Sequence, residues 1–264
     1  MAGFDGKVAL VTGGNSGIGR ATALAFARQG ARVVIAARRT EPGEEVAHAI
    51  HQAGGEAVFV RADVARAEDV EALVRRTVEV YGPLDCALNN AAIEGEPRTL
   101  ADYSEEEYDE LMGVDLKGVW LCMKHQIRQM LAQSPSGGTI VNTSSVNGLG
   151  GVAHGSLYAA AKAGVLALTK SAAQELGGQG IRVNALVAGG FRTPMLQRVF
   201  ARHGGPDPEA QAAVEGQLSQ LIPLGRIGNP EEAADAVLWL CSDASSYMTG
   251  NSLILDGGLT AYYR

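Results

Sequence analysis

One glycine-rich segment near the start of the chain constrains the fold more than any other feature. Residues 8–12 form a short, continuous apolar run, which is typical of a strand that is covered on both faces. Residues 12–19 follow at once and contain four glycines, and apolar residues then recur at helical spacing over residues 20–29, up to Gly30. The chain therefore begins with a buried strand, a tight turn and a helix.

A turn of this kind lets the backbone approach a diphosphate group closely, and the N-terminus of the following helix favours the negative charge of that group. The spacing, Gly-x-x-x-Gly-x-Gly, is slightly longer than the usual dinucleotide fingerprint. The alternative is an ordinary strand-to-helix turn. We predict a dinucleotide site that includes Gly13, Asn15, Ser16, Gly17, Ile18 and Gly19.

The rest of the chain repeats this alternation of apolar strands and helices. Further strands are predicted at residues 32–36, 57–60, 84–88, 138–143, 181–186 and 252–255, and helices at residues 44–52, 68–80, 105–131, 156–176 and 230–240. Such alternation predicts a doubly wound, Rossmann-like α/β fold: one domain, residues 1–264, with a mostly parallel seven-stranded sheet and helices on both faces. An eight-fold β/α barrel is the rival architecture, which the glycine turn after the first strand disfavours.

Composition excludes several classes of protein. The formal charge is −7, which argues against a nucleic-acid binder or a protein of the membrane surface. The three cysteines form no Cys-x-x-Cys pair, so reduced thiols are expected rather than a disulfide framework or a metal site. No basic leader precedes the first strand, and no segment reaches the roughly 18 apolar residues that span a membrane. A soluble, cytoplasmic protein is expected.

The end of the second predicted strand indicates which dinucleotide binds. An acidic residue about 20 residues beyond the glycine turn would bond the ribose 2′-hydroxyl of NAD. The sequence here is Ala36-Ala37-Arg38-Arg39, and two guanidinium groups suit a 2′-phosphate, which arginine binds in bidentate fashion. The alternative is that both arginines are simply solvated charges. We predict NADP(H) in preference to NAD(H), with NAD(H) as the alternative.

Two further polar segments follow predicted strands, at the edge where ligands of such sheets bind. Asp63 and Val64 follow the third strand, where the Asp63 carboxylate can accept a hydrogen bond from the adenine amino group. Asn90 and Ala91 follow the fourth strand. Asparagine and aspartate at such positions also cap loops, and that alternative stays open.

A possible catalytic group lies on the longest apolar helix after the fifth strand. Tyr158 and Lys162 are four residues apart and therefore share one helix face. A free tyrosine has a pKa of roughly 10, and a nearby ammonium group is predicted to bring it towards the neutral range where proton transfer is efficient. Ser145 ends the fifth strand, where its hydroxyl can stabilise a developing oxyanion. Taken alone, a Tyr-x-x-x-Lys pair is more often a surface contact.

Together these segments resemble the short-chain dehydrogenase/reductase family in its common form of about 250 residues. The matching residues are 12–19, 63–64, 89–92, 144–145, 158–162, 184–195 and 256–258, which run from end to end in the family's order. The resemblance implies that Tyr158 is the general acid or base, that Lys162 binds the nicotinamide ribose and lowers the tyrosine pKa, and that Ser145 orients the substrate oxygen. It also implies that Gly189 and Thr193 belong to the loop that holds the nicotinamide carboxamide.

The sequence departs from the family's pattern at three positions. The fourth catalytic position is usually Asn and is Asp115 here, so a carboxylate is expected to add negative charge near Lys162. Asp115 stays among the predicted catalytic residues, because the role that the family gives to the main chain at this position survives the change. Ala92 and Ala188 replace a usual glycine and a usual proline, which affects loop geometry rather than the chemistry.

The resemblance leaves the substrate open. Residues of about 192–224 vary in the family, contain a helix break at residues 203–208, and are predicted to form a mobile lid. A ketone or secondary alcohol of modest size is the expected partner. The apolar C-terminal segment, residues 253–263, resembles the one through which family members pair, which implies a homotetramer or a dimer. The rival to an enzyme is a non-catalytic dinucleotide-binding protein that senses redox state or scaffolds a complex.

Overall fold

The computed structural model describes residues 3–261 and places seven strands of that range in one sheet. The strands are β1 (Val8–Thr12), β2 (Arg32–Ala37), β3 (Glu56–Arg61), β4 (Cys86–Asn89), β5 (Gly138–Ser145), β6 (Ile181–Ala188) and β7 (Ser252–Leu255). Their order is β3-β2-β1-β4-β5-β6-β7, and each pairing is parallel. The predicted single-domain, Rossmann-like fold is confirmed.

Helices cover both faces of this sheet. They are α1 (Gly17–Arg28), α2 (Thr40–Gln52), α3 (Ala67–Tyr81), α4 (Glu105–Met112), α5 (Val119–Ala132), α6 (Ser156–Leu176), α7 (Pro194–Gly204), α8 (Pro208–Leu221) and α9 (Pro230–Cys241). Helices α1, α2 and α9 share one apolar core with the sheet, and α3, α5 and α6 share another. Residues of β2 alternate between the two cores: Val33 and Ile35 join the first, and Val34 and Ala36 join the second. Because both faces are buried, the strands are continuous apolar runs.

The order of the strands creates a crevice at the carboxyl end of β1. Strand β1 lies between β2 and β4 in the sheet. After β1 the chain continues to β2 and β3 on one side, and after β4 it continues to β5 on the other side. The chain therefore leaves β1 and β4 in opposite directions across the sheet, which opens a ligand crevice where the order reverses. This arrangement brings residues 12–19 beside residues 89–92.

The predicted helical stretch over residues 105–131 is present as residues 105–132, but it is not one regular α-helix. Helix α4 begins with a capping box between Ser104 and Glu107, and a π-helical segment, Gly113–Gly118, separates it from α5. A π-helical turn shifts the side chains out of the 3.6-residue period, so hydrophobic periodicity does not reveal it. Asp115 lies inside this segment and is completely buried.

Several element boundaries also differ from the predicted ones, among them the starts of α2 and β4. Helix α2 begins at Thr40 rather than at residue 44, because Pro42 falls in its first turn, where a missing N–H costs no hydrogen bond. Strand β4 begins at Cys86 rather than at residue 84, since the Leu84 N–H donates to the Gln133 side chain instead of to a neighbouring strand.

The predicted break at residues 203–208 is present between α7 and α8. Thr193 caps α7 by accepting from the Leu196 N–H, and Asp207 caps α8 by accepting from the Glu209 N–H. Phe200 of α7 packs into a small core of its own with residues of α8 and the following loop. None of the helices within residues 3–261 has the length and the apolar character needed to cross a membrane.

Candidate active site

The turn between β1 and α1 is packed tightly against the loop after β4. The backbone N–H groups of Asn90 and Ala91 both donate to the Thr12 hydroxyl, at 3.0 and 3.2 Å. A Cβ atom added to Gly19 would lie 2.3 Å from the carbonyl oxygen of Gly13. Gly13 itself has a φ of +64°, and its Cβ atom would lie 2.9 Å from the Ala91 Cα atom. Glycine is therefore needed at both positions. A side chain at Gly19 would collide with the turn, and a side chain at Gly13 would collide with the loop after β4 and disfavour the positive φ.

The N-terminus of α1 is available to an anion. Ser16 precedes the helix without capping it, and the first turn holds no acidic residue. Asn15, Ser16, Gly17 and Ile18 are all partly exposed. A Cβ atom on Gly17 would lie 3.1 Å from Cγ2 of Thr193, so the loop after β6 is a direct neighbour of the turn. The structure thus brings together the segment predicted to bind the diphosphate and the segment predicted to hold the nicotinamide carboxamide.

Arg38 and Arg39 follow β2, next to the strand that carries the glycine turn. Both side chains are exposed. Within residues 3–261, neither guanidinium group forms an ion pair. Both groups can therefore bind an anion without giving up a protein partner.

The residues after β3 and β4 have local partners as well. The Ala65 N–H donates to Oδ1 of Asp63 at 3.0 Å. The Asp63 carboxylate therefore caps its own loop, as in the alternative to an adenine contact that the sequence left open. The Val64 side chain is only 7% exposed and belongs to a small core. The Asn90 amide donates to the Gly13 carbonyl oxygen at 3.5 Å and its oxygen accepts from Thr143 at 3.4 Å. Asn90 therefore helps to hold the glycine turn in place.

Ser145, Tyr158 and Lys162 converge at the carboxyl end of β5. Ser145 is the last residue of β5, and hydrogen bonding from its side chain acts to lower the pKa of Tyr158. Lys162 is one turn further along α6, with its Nζ atom 5.3 Å from the centre of the Tyr158 ring. The Ser144 hydroxyl donates to the Lys162 carbonyl oxygen at 2.8 Å, which holds α6 against β5.

Asp115 joins this group from the π-helical segment. Its Oδ2 atom lies 3.1 Å from Nζ of Lys162, and the two side chains are 0% and 2% exposed. Its Oδ1 atom accepts a hydrogen bond from the Ile93 N–H at 2.8 Å. The structure therefore places a carboxylate next to the lysine, at the position where the sequence departs from the family.

Burial dominates the electrostatics of this group. Burial raises the pKa of Tyr158 above its ordinary value, the Lys162 ammonium opposes this shift, and the charge of Asp115 adds to it. The lysine acts on the tyrosine pKa in the predicted direction, but burial outweighs it, so in the protein by itself the pKa of Tyr158 is raised rather than brought towards the neutral range. Burial works to lower the pKa of Lys162, but the charges of Asp115 and Tyr158 and the hydrogen bond to Asp115 together outweigh it, so the pKa of Lys162 is raised. Lys162 is held in its charged form.

Comparisons with known proteins show which proteins the chain is similar to. A family model described as enoyl-(acyl carrier protein) reductase matches residues 13–260. The 2,5-dichloro-2,5-cyclohexadiene-1,4-diol dehydrogenase of Sphingobium indicum is 45% identical over 99% of this chain and 100% of its own length. The cyclohexanol dehydrogenase of an Acinetobacter species is 38% identical over 98% of this chain and 96% of its own. The crystal structure of levodione reductase has a TM-score of 0.93 and 36% identity, covering 98% of this chain and 100% of that one.

The chain belongs to the short-chain dehydrogenase/reductase (SDR) family. It is an oxidoreductase, and the family uses a nicotinamide dinucleotide. Ala188 stands where the family usually has proline, yet the backbone after β6 continues the pairing with β7. The Gly189 N–H donates to the Leu255 carbonyl oxygen at 3.0 Å. A Cβ atom on Gly189 would lie 2.6 Å from the Cα atom of Asp256, so glycine is needed there.

A buried amide network under the site of this SDR was missed by the sequence analysis. Asn89 donates to Gln126 at 3.0 Å and to Asn142 at 2.9 Å, and Asn142 donates to Thr169 at 2.9 Å. All four side chains are 0–1% exposed. They join β4, β5, α5 and α6, so they hold in register the elements that carry Ser145 and Lys162. The sequence signal that could have revealed it was the presence of Gln126 and Thr169 on the otherwise apolar faces of α5 and α6. A search for apolar periodicity ignores such single polar residues.

Proposed function

We propose that this SDR is an NADP(H)-dependent oxidoreductase that transfers a hydride between the nicotinamide ring and a ketone or secondary alcohol. The observation that carries the proposal is the convergence of Ser145, Tyr158 and Lys162 beside the glycine turn. The dehydrogenase and reductase names of its relatives support the reaction class.

Each member of this group has a distinct task in the proposal. Tyr158 donates its proton to the carbonyl oxygen in reduction and removes the hydroxyl proton in oxidation. The Ser145 hydroxyl donates a hydrogen bond to the same substrate oxygen and stabilises its developing charge. The Lys162 ammonium favours the phenolate and donates to the nicotinamide ribose, and Asp115 is a positioning residue that acts through Lys162. The bound cofactor supplies or accepts the hydride, so the protein contributes position and proton transfer.

The cofactor proposal follows the line of the crevice. The glycine turn and the N-terminus of α1 would bind the diphosphate, and Gly189 and Thr193 the carboxamide. The adenosine side of the crevice would be lined by Asp63, Val64, Asn90 and Ala91. The Ala65 N–H uses only Oδ1 of the Asp63 carboxylate, so Oδ2 would be the oxygen that accepts from the adenine amino group. Arg38 and Arg39, exposed and free of ion pairs within the described residues, would bind the 2′-phosphate.

Cofactor preference can be measured directly as kcat/KM with NADP⁺ and NAD⁺. Charge-assisted hydrogen bonds of about 1.5–3 kcal/mol correspond to a preference for NADP⁺ of roughly 10- to 100-fold. Arg38→Ala and Arg39→Ala should raise KM for NADP⁺ and leave KM for NAD⁺ unchanged. Arg28→Ala, exposed at the far end of α1, is the matched control. A preference of the wild-type enzyme for NAD⁺ would overturn the proposal.

The substrate class is proposed from the relatives and from the cover of the site. Two relatives are named for alcohols on a six-carbon ring, so we propose a secondary alcohol or ketone on a ring of that size. Helices α7 and α8, within residues 192–224, form the proposed lid. Arg202 of α7 binds Glu94 at 2.8 Å in the loop after β4, and the charge of Glu94 contributes to the raised pKa of Tyr158. A panel of cyclic and open-chain alcohols, followed by nicotinamide absorbance, tests the ring preference.

Tyr158→Phe tests the catalytic proposal. The variant keeps the ring but removes the transferable proton, so kcat should fall by about 10²- to 10⁴-fold while cofactor affinity, measured by fluorescence titration, stays the same. Tyr103→Phe is the matched control, because the Tyr103 hydroxyl donates only to the carbonyl oxygens of Glu96 and His154 on loops. Full turnover by Tyr158→Phe would refute the mechanism, and a wild-type protein that binds cofactor without oxidising or reducing any substrate would favour the sensor.

We also propose a homotetramer in the cytoplasm. Two exposed apolar surfaces support an assembly: a groove between the π-helical segment, α5 and α6, where Trp120 is 45% exposed, and the edge strand β7, where Ile254 is 45% exposed. Residues 262 and 263 of the C-terminal pairing segment lie outside the described residues. Light scattering after size exclusion distinguishes a tetramer from a dimer. The three free cysteines support a reducing compartment.

A further inference from the structure

The loop after β4 connects the proposed catalytic group with the cover of the site. At its start, the Ile93 N–H donates to Oδ1 of Asp115 at 2.8 Å, and the Ile93 side chain packs against the same small apolar cluster as Tyr158. Further along, the Arg98 N–H donates at 3.1 Å to the carbonyl oxygen of His154, just before α6. Both ends of this loop segment are therefore anchored beside the helix that carries Tyr158.

Glu94, between these anchors, has one carboxylate oxygen bound and one left over. Its Oε1 atom accepts from the Arg202 guanidinium group of α7 at 2.8 Å. Its Oε2 atom is buried and has no hydrogen-bond partner within residues 3–261. The only other buried carboxylate oxygen of that range in this condition is Oδ2 of Asp115, which has the Lys162 ammonium group 3.1 Å away. Since buried polar atoms are usually paired, the free oxygen of Glu94 points to a donor that a ligand brings.

A second buried group without a partner lies on the adjoining segment. Ser156 is the first residue of α6, two residues before Tyr158, and its hydroxyl is buried and unpaired within the described part of the chain. The hydrogen bond between Arg98 and His154 holds this segment against the loop of Glu94. Two unpaired polar groups on adjoining segments indicate a ligand with a polar group on this side of the site.

The chemistry of Glu94 restricts the donor that it would take. The Arg202 guanidinium group already balances the carboxylate charge, so the free oxygen suits a neutral donor such as a hydroxyl better than a second cation. The reacting hydroxyl of the substrate is not this donor, since in the proposed mechanism Ser145 and Tyr158 bind that oxygen. The donor therefore belongs to another carbon atom of the substrate.

We propose that Oε2 of Glu94 accepts a hydrogen bond from a second hydroxyl group of the substrate, so that ring diols and hydroxyketones are preferred over simple cyclic alcohols and ketones. This inference rests on the proposed function, because it concerns a substrate of the same reaction. Glu94 is then a specificity-determining residue that fixes which carbon of the ring faces Tyr158 and takes no part in the proton transfer. The ion pair with Arg202 holds the carboxylate in place before the substrate binds, which lowers the cost of binding.

The experiment compares kcat/KM of the wild-type enzyme, with its preferred nicotinamide cofactor, for cyclohexanol and for the isomers of cyclohexanediol. A hydrogen bond to a charged acceptor predicts a preference of roughly 10- to 100-fold for at least one diol. The presence of two reacting hydroxyls can by itself only double the rate. A wild-type enzyme that favours no diol beyond this doubling would overturn the proposal, and so would a preference for an aminocyclohexanol over every diol.

Variants locate the contact. Glu94→Ala should reduce the diol preference to the doubling, and Glu94→Gln, which keeps a neutral acceptor, should retain part of it. The ratio of the two kcat/KM values is the informative quantity, because the charge of Glu94 also raises the pKa of Tyr158 and this acts on both substrates alike. Glu96→Ala is the matched control, since Glu96 lies on the same loop, 3.5 Å from the same arginine, and is 66% exposed. The ratio should stay at its wild-type value there; its loss in Glu96→Ala, or its retention in Glu94→Ala, would contradict the assignment.

Binding without turnover separates this inference from the reaction class. Tyr158→Phe, loaded with cofactor, should bind the preferred diol roughly 10- to 100-fold more tightly than cyclohexanol in calorimetry. Equal binding of the two alcohols would overturn the role of Glu94 and leave the reaction class intact. A wild-type protein that binds the diol preferentially but oxidises no alcohol would refute the reaction class and leave the contact with Glu94 in place.

Discussion

The site lies between two regions that are held in opposite ways. On the sheet side, the glycine turn has no room for a Cβ atom at Gly19, and the ion pair of Lys162 with Asp115 is completely buried. On the cover side, α7 and α8 share a small apolar core, and the ion pairs that connect them to neighbouring segments lie at the surface. Arg202 and Glu94 are 29% and 21% exposed, and Arg192 and its partner Glu215 are 50% and 29% exposed.

This difference makes the sheet side of the site rigid and leaves the cover of α7 and α8 free to adjust. A buried charge cannot leave its partner without a penalty of several kcal/mol. An exposed ion pair contributes only about 0–1 kcal/mol, so the cover can rearrange at little cost. The proposed proton-transfer and cofactor groups are therefore held in one geometry, and the proposed lid is the part that can move.

The largest expected effect is that of Asp115→Ala. It leaves the Lys162 ammonium buried without its counter-ion and removes the acceptor of the Ile93 N–H, so the free energy of unfolding should fall by about 3–5 kcal/mol. Glu215→Ala, which breaks the exposed pair with Arg192, should cost about 0–1 kcal/mol. Urea denaturation measures both. Equal costs for the two variants would remove the contrast between the regions.

Two glycine substitutions, one in the glycine turn and one in α8, compare how tightly the two regions are packed. Gly19→Ala forces a Cβ atom against the Gly13 carbonyl oxygen and should cost about 1–3 kcal/mol of stability together with a clear loss of cofactor affinity. Gly216→Ala, in α8, meets no atom within 4 Å and should stabilise the protein by up to about 1 kcal/mol. Thermal unfolding and cofactor titration distinguish the two. Unchanged cofactor binding in Gly19→Ala would show that the turn adapts.

Asp115→Asn separates the charge of this residue from its hydrogen bond. The amide oxygen can still accept from the Ile93 N–H, but the negative charge that raises the pKa of Tyr158 is gone, so that pKa should fall. Alcohol oxidation needs the phenolate, and a lower pKa supplies it at lower pH. The acid limb of the pH profile of kcat/KM should therefore move to lower pH. A merely structural role for Asp115 would leave the profile in place.

The smallest effect is expected on the cover. Arg202→Gln removes the ion pairs with Glu94 and Glu96 that connect α7 to the loop after β4. Stability should change by no more than about 1 kcal/mol. KM for the alcohol should change more than KM for the cofactor, since α7 belongs to the proposed lid. A change confined to cofactor KM would contradict the assignment of this region to substrate.

Sequence reasoning predicted most of the elements but not the interruption between α4 and α5. The strands were visible because each is a continuous apolar run, and the helices because the apolar positions repeat. Asp115 was singled out only through a family position, and its burial inside a π-helical segment is not encoded by any local pattern. The amide network through Gln126 and Asn142 was missed for the same reason: each polar side chain finds its partner on another element.

The sequence by itself determined the doubly wound fold, the glycine turn, and the presence of tyrosine, lysine and serine at matching intervals. These are local properties, since apolar periodicity, glycine placement and helical spacing act over a few residues. Only the tertiary structure decided that burial raises the pKa of Tyr158 and that Asp115 pairs with Lys162. Those outcomes depend on desolvation and on distances between atoms that the chain brings together from separate elements, which no stretch of sequence specifies alone.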